Sequence, residues 1–334
     1  MNSQNFWSQL KTPIFALAPM EDVTDTVFRE LVLTLSYPQN LHLLFTEFTS
    51  VDGLCHPVGY NKVKHRLFVS DTEKVLLQQN NVKLIAQIWG KDPEKYAKVA
   101  TMLQETGNFH GIDINMGCPD KSVVKQGCGS ALIEDPQRAQ EIILAVKEAT
   151  TLPLSIKTRI GVKQVITEKW ISHLLNQPID ALIVHGRIQK QMSDGLADWA
   201  EIAKAVQLRN AINSTIPILG NGDVLTISDG LLKCQQHNLN GIMVGRGIFH
   251  DPWMFGPTKQ HITLQERLRV LLFHNQLYHQ TWQESKNFAQ LKRFFKIYVQ
   301  NFNGASQLRD ALMHTQNSHQ VITVIHDFLD QQTS

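Results

Sequence analysis

Cysteine, net charge and long apolar runs are all scarce in this sequence of 334 residues. The four cysteines (Cys55, Cys118, Cys128 and Cys234) contain no Cys-x-x-Cys pair, and a chain of this length needs no disulfide framework, so we expect reduced thiols. No run approaches the ~18 apolar residues of a membrane span, and the N-terminal residues lack the basic start and apolar stretch of a secretion signal. These absences predict a cytoplasmic protein with no membrane partner.

The formal net charge is only +2, so the chain as a whole gives no electrostatic reason to expect a polyanionic partner. The distribution is uneven, because the residues from Thr258 onward carry eight Lys and Arg against five Asp and Glu. Any contact with a polyanion is therefore expected to depend on this last part of the chain.

The sequence lacks the motifs of several common enzyme classes. The 14 histidines form neither His-x-His nor His-Glu-x-x-His, and the spacing of Cys118 and Cys128 does not suit a closed tetrahedral site, so we predict no metal. A Gly-x-Ser-x-Gly nucleophile motif is missing, as are paired carboxylates suited to glycoside hydrolysis. A metal enzyme and a hydrolase are both disfavoured.

Eight short apolar runs have the composition of β-strands that are buried on both faces. Most are separated by stretches of helical period, such as residues 92–106 and 135–150, which begin with Asp-Pro. Eight strand–helix repeats over roughly 240 residues predict an α/β fold, a (β/α)8 TIM barrel. The predicted strands lie at residues 14–19, 43–48, 83–90, 111–116, 152–158, 181–186, 216–222 and 241–246.

The strand pattern stops after residue 257, and the remaining sequence is typical of helices. We predict helices at 264–282 and 286–302, a break at residues 303–304, and two shorter helices within 305–330. The second helix has an apolar stripe that leaves Lys292, Arg293 and Lys296 on another face, which taken alone is ordinary solvated surface. Two domains are expected, a barrel at 1–257 and a small all-helical C-terminal domain at 258–334.

In barrels of this type the active site lies at the C-terminal ends of the strands, so residues there are the catalytic candidates. The residues that follow the eight runs mix an amide, a thiol, an ammonium, an imidazole and glycine-rich turns, with few carboxylates. They are Pro19, Met20, Glu21, Glu47, Gln87, Asn115, Cys118, Lys157, Arg159, His185, Arg187, Asn221, Gly222, Asp223, Gly245 and Arg246.

The glycine turns after the seventh and eighth runs, GNGD and GRG, occupy the position where barrels commonly bind phosphate through backbone N–H groups. Glycine also serves tight turns, so the motifs alone leave a turn and a phosphate site equally open. Their position in the barrel favours phosphate, and Arg246 is expected to add a charge-assisted contact.

Lys157 lies in an apolar strand, where an ammonium group is costly to bury unless it meets an anion or a polar ring. A salt bridge to Glu47 is the structural alternative, as a core imidazole is for His185. With Gln87 and Asn221 on neighbouring strand ends, these residues suit a heterocycle that has N–H and C=O edges. FMN is the simplest such cofactor, because no Gly-x-Gly-x-x-Gly dinucleotide loop follows the first strand.

Seven ordered motifs resemble those of the tRNA-dihydrouridine synthase family, and the likeness continues weakly through the helical region. The motifs are APMEDVTDTVFRE, AQIWG, GIDINMGCP, IKTRIG, IVHGR, GNGD and VGRG. The resemblance implies a flavoenzyme that uses NADPH, or else NADH, to reduce the C5–C6 double bond of specific uridines in the tRNA D-loop, and we expect it to be monomeric. Other FMN barrels share the layout, so a reductase of a free pyrimidine or other small molecule and an inactive RNA-binding paralogue remain alternatives.

The resemblance also implies roles for individual residues. Cys118 of the Asn-x-x-Cys-Pro motif would give a proton to C5 of the uracil while hydride passes from the flavin to C6, and Asn115 would help to hold the base. A thiol with a pKa of about 8.5 is mostly protonated at neutral pH, which suits a proton donor. FMN would be bound by Pro19, Met20, Glu21, Gln87, Lys157, His185, Asn221, Gly222, Asp223, Gly245 and Arg246.

Contacts with tRNA phosphates would come from the helical domain and the barrel rim, and binding should then weaken steeply with salt. The target base must leave its stack, which favours the bent D-loop over duplex RNA. Cys128 is interpreted as a small filler of a glycine-rich turn. The candidates for phosphate contacts are Lys121, Lys125, Arg159, Arg187, Lys286, Lys292, Arg293, Lys296 and Arg309.

Overall fold

A closed parallel sheet forms the centre of the fold. The computed structural model describes residues 5–212, 214–257 and 262–333. Its strands are β1 (Ile14–Leu17), β2 (Leu43–Phe45), β3 (Thr49–Ser50), β4 (Lys83–Trp89), β5 (Gly111–Met116), β6 (Leu154–Arg159), β7 (Ala181–His185), β8 (Ile218–Asn221) and β9 (Gly241–Val244). The sheet closes because β1 pairs with β2 and β9, while β2 also pairs with β4.

The second wall position of the barrel is divided between β2 and β3, which residues 46–48 separate. Both pair with β4, β2 with its beginning and β3 with its end. The described part of the chain therefore has eight wall positions, and each overlaps one of the predicted runs. The predicted (β/α)8 barrel is confirmed.

Helices cover the outside of the barrel and continue beyond it. The Asp-Pro starts predicted from the sequence are both used, since Asp92 and Asp135 accept hydrogen bonds from the amides of Glu94 and Arg138. The described helices are α1 (Thr26–Leu35), α2 (Val51–Cys55), α3 (Pro57–Val63), α4 (Asp71–Gln79), α5 (Pro93–Thr106), α6 (Lys121–Lys125), α7 (Pro136–Ala149), α8 (Thr167–Leu175), α9 (Trp199–Ala211), α10 (Ile227–His237), α11 (Leu264–Trp282), α12 (Ala289–Lys292), α13 (Phe295–Tyr298), α14 (Ala305–His314) and α15 (Ser318–Thr333).

Side-chain alternation along the strands creates two apolar layers. In β1, Ile14 and Ala16 belong to the cluster inside the barrel, whereas Phe15 and Leu17 belong to the larger cluster under the helices. The inner cluster also contains Phe6 and Trp7 from a short 3₁₀ helix at the N-terminus, and the ring of Phe6 lies beside Gly111 at the start of β5. This end of the barrel is therefore packed, and the opposite end carries the polar residues.

The helical C-terminal region differs from its prediction in one place. α11, α14 and α15 confirm three of the predicted helices, but the single helix predicted at 286–302 is wrong, because that stretch contains only the one-turn helices α12 and α13. Aromatic and β-branched residues there have weak helix propensity. Phe294, which separates the two turns, packs against Phe28 and His274 with ring centroids 5.1 and 4.9 Å apart. Tertiary packing has replaced helical continuity.

A buried ion pair connects this region to the barrel. Asp25, the N-cap of α1, accepts hydrogen bonds from the indole Nε1 of Trp282 at 2.8 Å and from Nζ of Lys286 at 2.9 Å. Nζ of Lys286 is also 3.8 Å from the carboxylate of Glu47, which lies in the gap between β2 and β3. The side chain of Lys286 is only 8% exposed, so this lysine is not available for the phosphate contact predicted for it.

Candidate active site at the barrel mouth

A cavity of about 460 Å³ lies at the C-terminal ends of the strands. It brings together most of the residues that the barrel rule selected from the sequence. Those in its lining are Pro19, Met20, Lys157, Arg159, His185, Arg187, Asn221, Gly222, Asp223, Gly245 and Arg246. The lining also contains Ser193 from the loop after β7, together with Met192, Val224, Leu225 and His250, which were not predicted. Met192 belongs to a loop without periodicity, so no pattern marked it.

An ion-pair network holds one wall of the cavity. The guanidinium of Arg187 is 2% exposed and bonds both carboxylate oxygens of Asp223 at 2.7 and 2.6 Å. Burial opposes ionisation of Asp223, but the hydrogen bonds from Arg187 and the amide of Ala197 outweigh it and lower the pKa of the carboxyl. Arg246, whose side chain is 61% exposed, lies 3.7 Å from the same carboxylate. Asp223 therefore fixes one arginine and leaves the other facing the cavity rim.

The second buried arginine, Arg159, also bonds to protein atoms. Its Nε donates to the carbonyl of Gly117 at 2.7 Å, and its Nη1 donates to the carbonyls of Ile188 and Met192 at 3.2 and 2.9 Å. Arg159 and Arg187 were predicted to contact tRNA phosphates. In the structure both guanidinium groups bond to protein atoms and stabilise the cavity walls.

Lys157 and His185 line the cavity beside Arg159, and all three have lowered pKa values. Burial, together with the neighbouring Arg159, lowers the pKa of Lys157 to about 8. Burial and the surrounding cations lower the pKa of His185 well below its ordinary value, so its imidazole is neutral at pH 7. Nη1 of Arg187 lies 3.1 Å from Nε2 of His185. Since a guanidinium only donates, Nε2 accepts and the imidazole proton is on Nδ1. Glu47, considered as a partner of Lys157, lies beside Lys286 instead.

Cys118 follows β5 on a loop that bends back against a second glycine turn. Its side chain is half-buried, and burial raises the pKa of its thiol. Gly129 has φ +60°, and a Cβ there would lie 2.9 Å from the carbonyl oxygen of Cys118. Glycine is required for this close approach. Cys128 beside it is 1% exposed, and burial raises its pKa to about 11, which agrees with its interpretation as a filler.

Gln87 and Asn115 are buried next to the cavity and bond to each other. Nδ2 of Asn115 donates to Oε1 of Gln87 at 3.0 Å, and the backbone amides of Gly117 and Cys118 both donate to Oδ1 of Asn115. The acceptor of Asn115 is thereby used within the loop, which leaves this side chain an N–H to offer to a base. Asp113, which also bonds Gln87, was missed in the sequence, although an Asp inside an apolar strand was a signal.

The remaining predicted residues lie on the rim and in the helical region. Glu21 forms an ion pair with Arg66. Nη1 of Arg293 is 3.6 Å from the carboxylate of Asp22, which places this arginine at the barrel mouth. Lys296 is exposed. Lys292 and Arg309 each donate at 2.8 Å to a backbone carbonyl of the helical region.

The described residues contain no group of three or more His, Cys, Asp or Glu side chains able to hold a metal ion. Within the same ranges, no helix is both long and apolar enough to cross a bilayer.

Residues 16–333 match the family model described as Dihydrouridine synthase (Dus). This chain belongs to the dihydrouridine synthase family. It is 40% identical over 327 residues to the "Probable tRNA-dihydrouridine synthase" of Staphylococcus aureus (strain MRSA252), a match that covers 97% of this chain and 96% of the relative. It is 39% identical over 328 residues to the "Probable tRNA-dihydrouridine synthase 2" of Bacillus subtilis (strain 168), with 98% and 97% covered. The family resemblance and the prediction of an oxidoreductase are confirmed.

Among solved structures, the chain is similar to histamine dehydrogenase from Rhizobium sp. 4-9, with a TM-score of 0.52 and 11% sequence identity. The match covers 79% of this chain and 48% of that one. At this identity the likeness concerns the fold alone, and it agrees with the closed barrel of this member of the family.

The backbone of the cavity fits a flavin. Gly222 has φ +130°, and a Cβ there would lie 2.5 Å from the Cβ of Ala197 and 3.2 Å from the ring of His185, so only glycine is accommodated. At Gly245 a Cβ would meet only Ala18, at 3.9 Å, which leaves bare backbone facing the cavity. Bare backbone, a buried ammonium and a cation on the rim suit a polar planar ring that carries a phosphate.

Proposed function

We propose that this protein is a tRNA-dihydrouridine synthase that reduces the C5–C6 double bond of specific D-loop uridines. FMN would be its cofactor, and NADPH rather than NADH its reductant. The observation that carries the proposal is the loop of Cys118, which bonds the cavity residue Arg159 through the carbonyl of Gly117, in a chain of the Dus family whose cavity also contains Lys157 and His185. The chain matches two relatives over almost their whole length, and both are named as probable tRNA-dihydrouridine synthases, which supports tRNA as the substrate.

The cofactor would be held by three parts of the cavity. Lys157, His185 and Gln87 would contact the isoalloxazine ring. The Pro19–Glu21 turn would lie along it, and Asn221, Gly222, Asp223, Gly245 and Arg246 would hold the ring edge and the phosphate. When bound, FMN supplies a hydride to the pyrimidine. The neutral imidazole of His185, with its proton on Nδ1, provides a hydrogen-bond donor that adds no charge to the site.

Cys118 would supply the proton that the reduction needs at C5. Burial raises the pKa of its thiol above the ordinary value, so the acid form dominates at neutral pH. A general acid must be protonated before it reacts, and this environment keeps it so. Asn115 would direct its remaining N–H to the carbonyl edge of the uracil. The base has to leave its stack to reach the cavity, which costs least in a loop that is already bent.

The helical region would contact tRNA next to this mouth. Arg293 at the mouth and the exposed Lys296 would meet backbone phosphates, with Lys292 and Arg309 nearby in the chain. We assign the catalytic unit to residues 1–257 and the tRNA-contacting unit to 258–334. Residues 258–261 at this boundary lie outside the described residues. A cytoplasmic monomer remains the expectation for the whole protein.

The test is to map dihydrouridine in tRNA from a strain without its own dihydrouridine synthases, with and without this gene. Restoration at defined D-loop positions by the wild type, and none by Cys118→Ala, is the expected result. Purified protein is then given FMN, either NADPH or NADH, and either unmodified tRNA or free uracil. NADPH oxidation with uracil but not with tRNA would establish a small-molecule reductase instead. Binding of tRNA without oxidation of either reductant would establish an inactive paralogue.

A further inference from the structure

The buried carboxylate of Asp113 lies inside the barrel next to the site, and the chemistry proposed above gives it no role. It is fully buried in the middle of β5. The parallel register places Asp113 opposite Gln87 of β4 and Ser155 of β6. Both neighbours bond it: Nε2 of Gln87 donates to Oδ2 at 2.7 Å, and the hydroxyl of Ser155 donates to Oδ1 at 2.6 Å.

The bond from Gln87 is the last link of a hydrogen-bond chain in which each donor points toward the Asp113 end. The amide of Cys118 donates to Oδ1 of Asn115 at 2.8 Å. Nδ2 of Asn115 then donates to Oε1 of Gln87 at 3.0 Å, and Gln87 donates to Asp113. The chain thus begins at the backbone of the reactive cysteine and ends on a carboxylate in the barrel interior.

The two ends of the chain determine the orientation of both primary amides. A backbone N–H can only donate, so Asn115 must turn its oxygen to the Cys118 loop and its nitrogen to Gln87. Gln87 must then turn its oxygen to Asn115 and its nitrogen to Asp113. A carboxylate that accepts from Gln87 and Ser155 completes the sequence without two donors or two acceptors facing each other.

We propose that Asp113 is a positioning residue for Cys118. As the terminal acceptor, it fixes the amide of Gln87, which fixes Asn115, whose oxygen holds the backbone of the Cys118 loop. Burial raises the pKa of Asp113 to about 7, with the nearby Lys157 acting in the opposite direction. The chain survives protonation, because a protonated Oδ1 can donate a hydrogen bond to the Ser155 hydroxyl oxygen, which also accepts. This role rests on the proposed function of Cys118, but it can be measured without catalysis.

The measurement is alkylation of the cofactor-free protein by iodoacetamide, with Cys118 quantified by mass spectrometry against Cys55 in the same molecules. Asp113→Leu removes the terminal acceptor but keeps the branched shape and the number of heavy side-chain atoms, and it should accelerate alkylation of Cys118 roughly tenfold, because a loop that loses its restraint opens more often. Asp113→Asn should stay within about twofold of the wild type, since its amide oxygen accepts from Gln87 while its N–H meets the Ser155 oxygen.

Ile114→Val is the matched control, because Ile114 is buried on the same strand but belongs to the apolar layer under the helices. It should lower the unfolding temperature without changing the ratio of the two alkylation rates. With tRNA and saturating FMN, Asp113→Leu should lower kcat by a larger factor than it raises KM, since it moves the acid and the base contact of Asn115 but not the phosphate contacts of the helical region.

An unchanged ratio of rates in folded Asp113→Leu, or equal acceleration at Cys55 and Cys118, overturns the proposal. If that variant does not fold, Gln87→Met breaks the same chain at its next link and must accelerate Cys118 alone; an unchanged ratio there is equally decisive. Wild-type protein that fails to reduce tRNA would refute the proposed function while leaving the alkylation result valid. The two failures are therefore distinguishable.

Discussion

The indole of Trp282 donates a 2.8 Å hydrogen bond to the carboxylate of Asp25, 257 residues earlier in the chain. The same carboxylate accepts from Lys286 and also caps α1 through the amide of Phe28. One aspartate thus begins the first barrel helix and anchors the C-terminal helical region.

Asp25→Asn should destabilise the protein by about 3 kcal/mol, because it leaves the buried ammonium of Lys286 without its closest anion. Urea unfolding measures this loss. The matched control is Asp71→Asn, whose partner Lys74 lies 3.0 Å away at the surface. That change should cost less than about 1 kcal/mol. Equal losses from the two variants would contradict a structural role for the Asp25 ion pair.

Cys118→Ala should lower the rate of dihydrouridine formation by roughly 10² to 10⁴, the usual contribution of a positioned general acid. Flavin binding, followed by flavin fluorescence, should remain. Cys128→Ala is the control, because the buried Cys128 acts as a small apolar side chain and its loss should change the rate by no more than about twofold. A Cys118→Ala enzyme with the wild-type rate would exclude this thiol as the proton donor.

Gly222→Ala should weaken FMN binding roughly tenfold and destabilise the protein by about 1–3 kcal/mol. Its new Cβ would clash with Ala197 at a backbone angle that L-residues rarely adopt. Gly107→Ala separates these two effects, since Gly107 has φ +64° at the end of α5 but open space around it. It should cost about 1 kcal/mol and leave FMN affinity unchanged. Fluorescence titration and thermal unfolding report the two quantities, and equal FMN affinities of the wild type and Gly222→Ala would refute the proposed role of the Gly222 turn in FMN binding.

His274 makes stability depend on pH. It is 1% exposed, bonds the Tyr298 hydroxyl at 2.8 Å, and burial lowers its pKa to about 4. The unfolded chain binds this proton from about pH 6.5 downward, whereas the folded protein binds it only near its lowered pKa, so stability is present at neutral pH and lost on acidification. On acidification from about pH 7.5 to pH 5, the free energy of unfolding of His274→Leu should therefore fall by about 2 kcal/mol less than that of the wild type. Urea unfolding at both pH values decides this, and the control is His319→Leu, a change at an exposed position of α15 that should keep the wild-type dependence of stability on pH.

Lys296→Ala should reduce the salt dependence of tRNA binding, lowering the slope of log K against log salt by about 1 if this exposed lysine meets a phosphate. Filter binding over a range of potassium chloride concentrations gives the slope. Lys98→Ala is the control, because Lys98 is exposed on α5, which covers the outside of the barrel. Identical slopes for the wild type and Lys296→Ala would remove Lys296 from the proposed interface.

The barrel was predictable from the sequence because each of its strands has a local composition typical of a buried strand. A run such as residues 181–186 is apolar on both faces, and Asp-Pro before α5 and α7 supplies a cap and a preset φ. The break between α12 and α13 was not predictable in this way. It depends on where the ring of Phe294 packs among Phe28 and His274, and these partners are distant in sequence.

The site was predictable as a set of positions but not as a set of partners. The barrel rule gathered His185, Asn221 and Arg246 around one cavity. Charge alone did not reveal that Arg187 points inward to Asp223, or that Glu47 meets Lys286 rather than Lys157. Those contacts depend on the direction of each side chain and on how the helical region packs against the barrel, and neither is encoded in a local sequence pattern.

The carboxylate of Glu47 lies where the barrel meets the helical region. Oε1 accepts from the amide of Asp22 at 2.7 Å, and Oε2, which has no hydrogen-bond partner among the described residues, faces Lys286 across 3.8 Å. A chain ended at residue 257 would lack Lys286, which lies beside both Glu47 and Asp25, and Trp282, which bonds Asp25. The first 257 residues are therefore a poor unit for separate expression or for exchange between relatives, and swaps should carry the helical region along with its barrel.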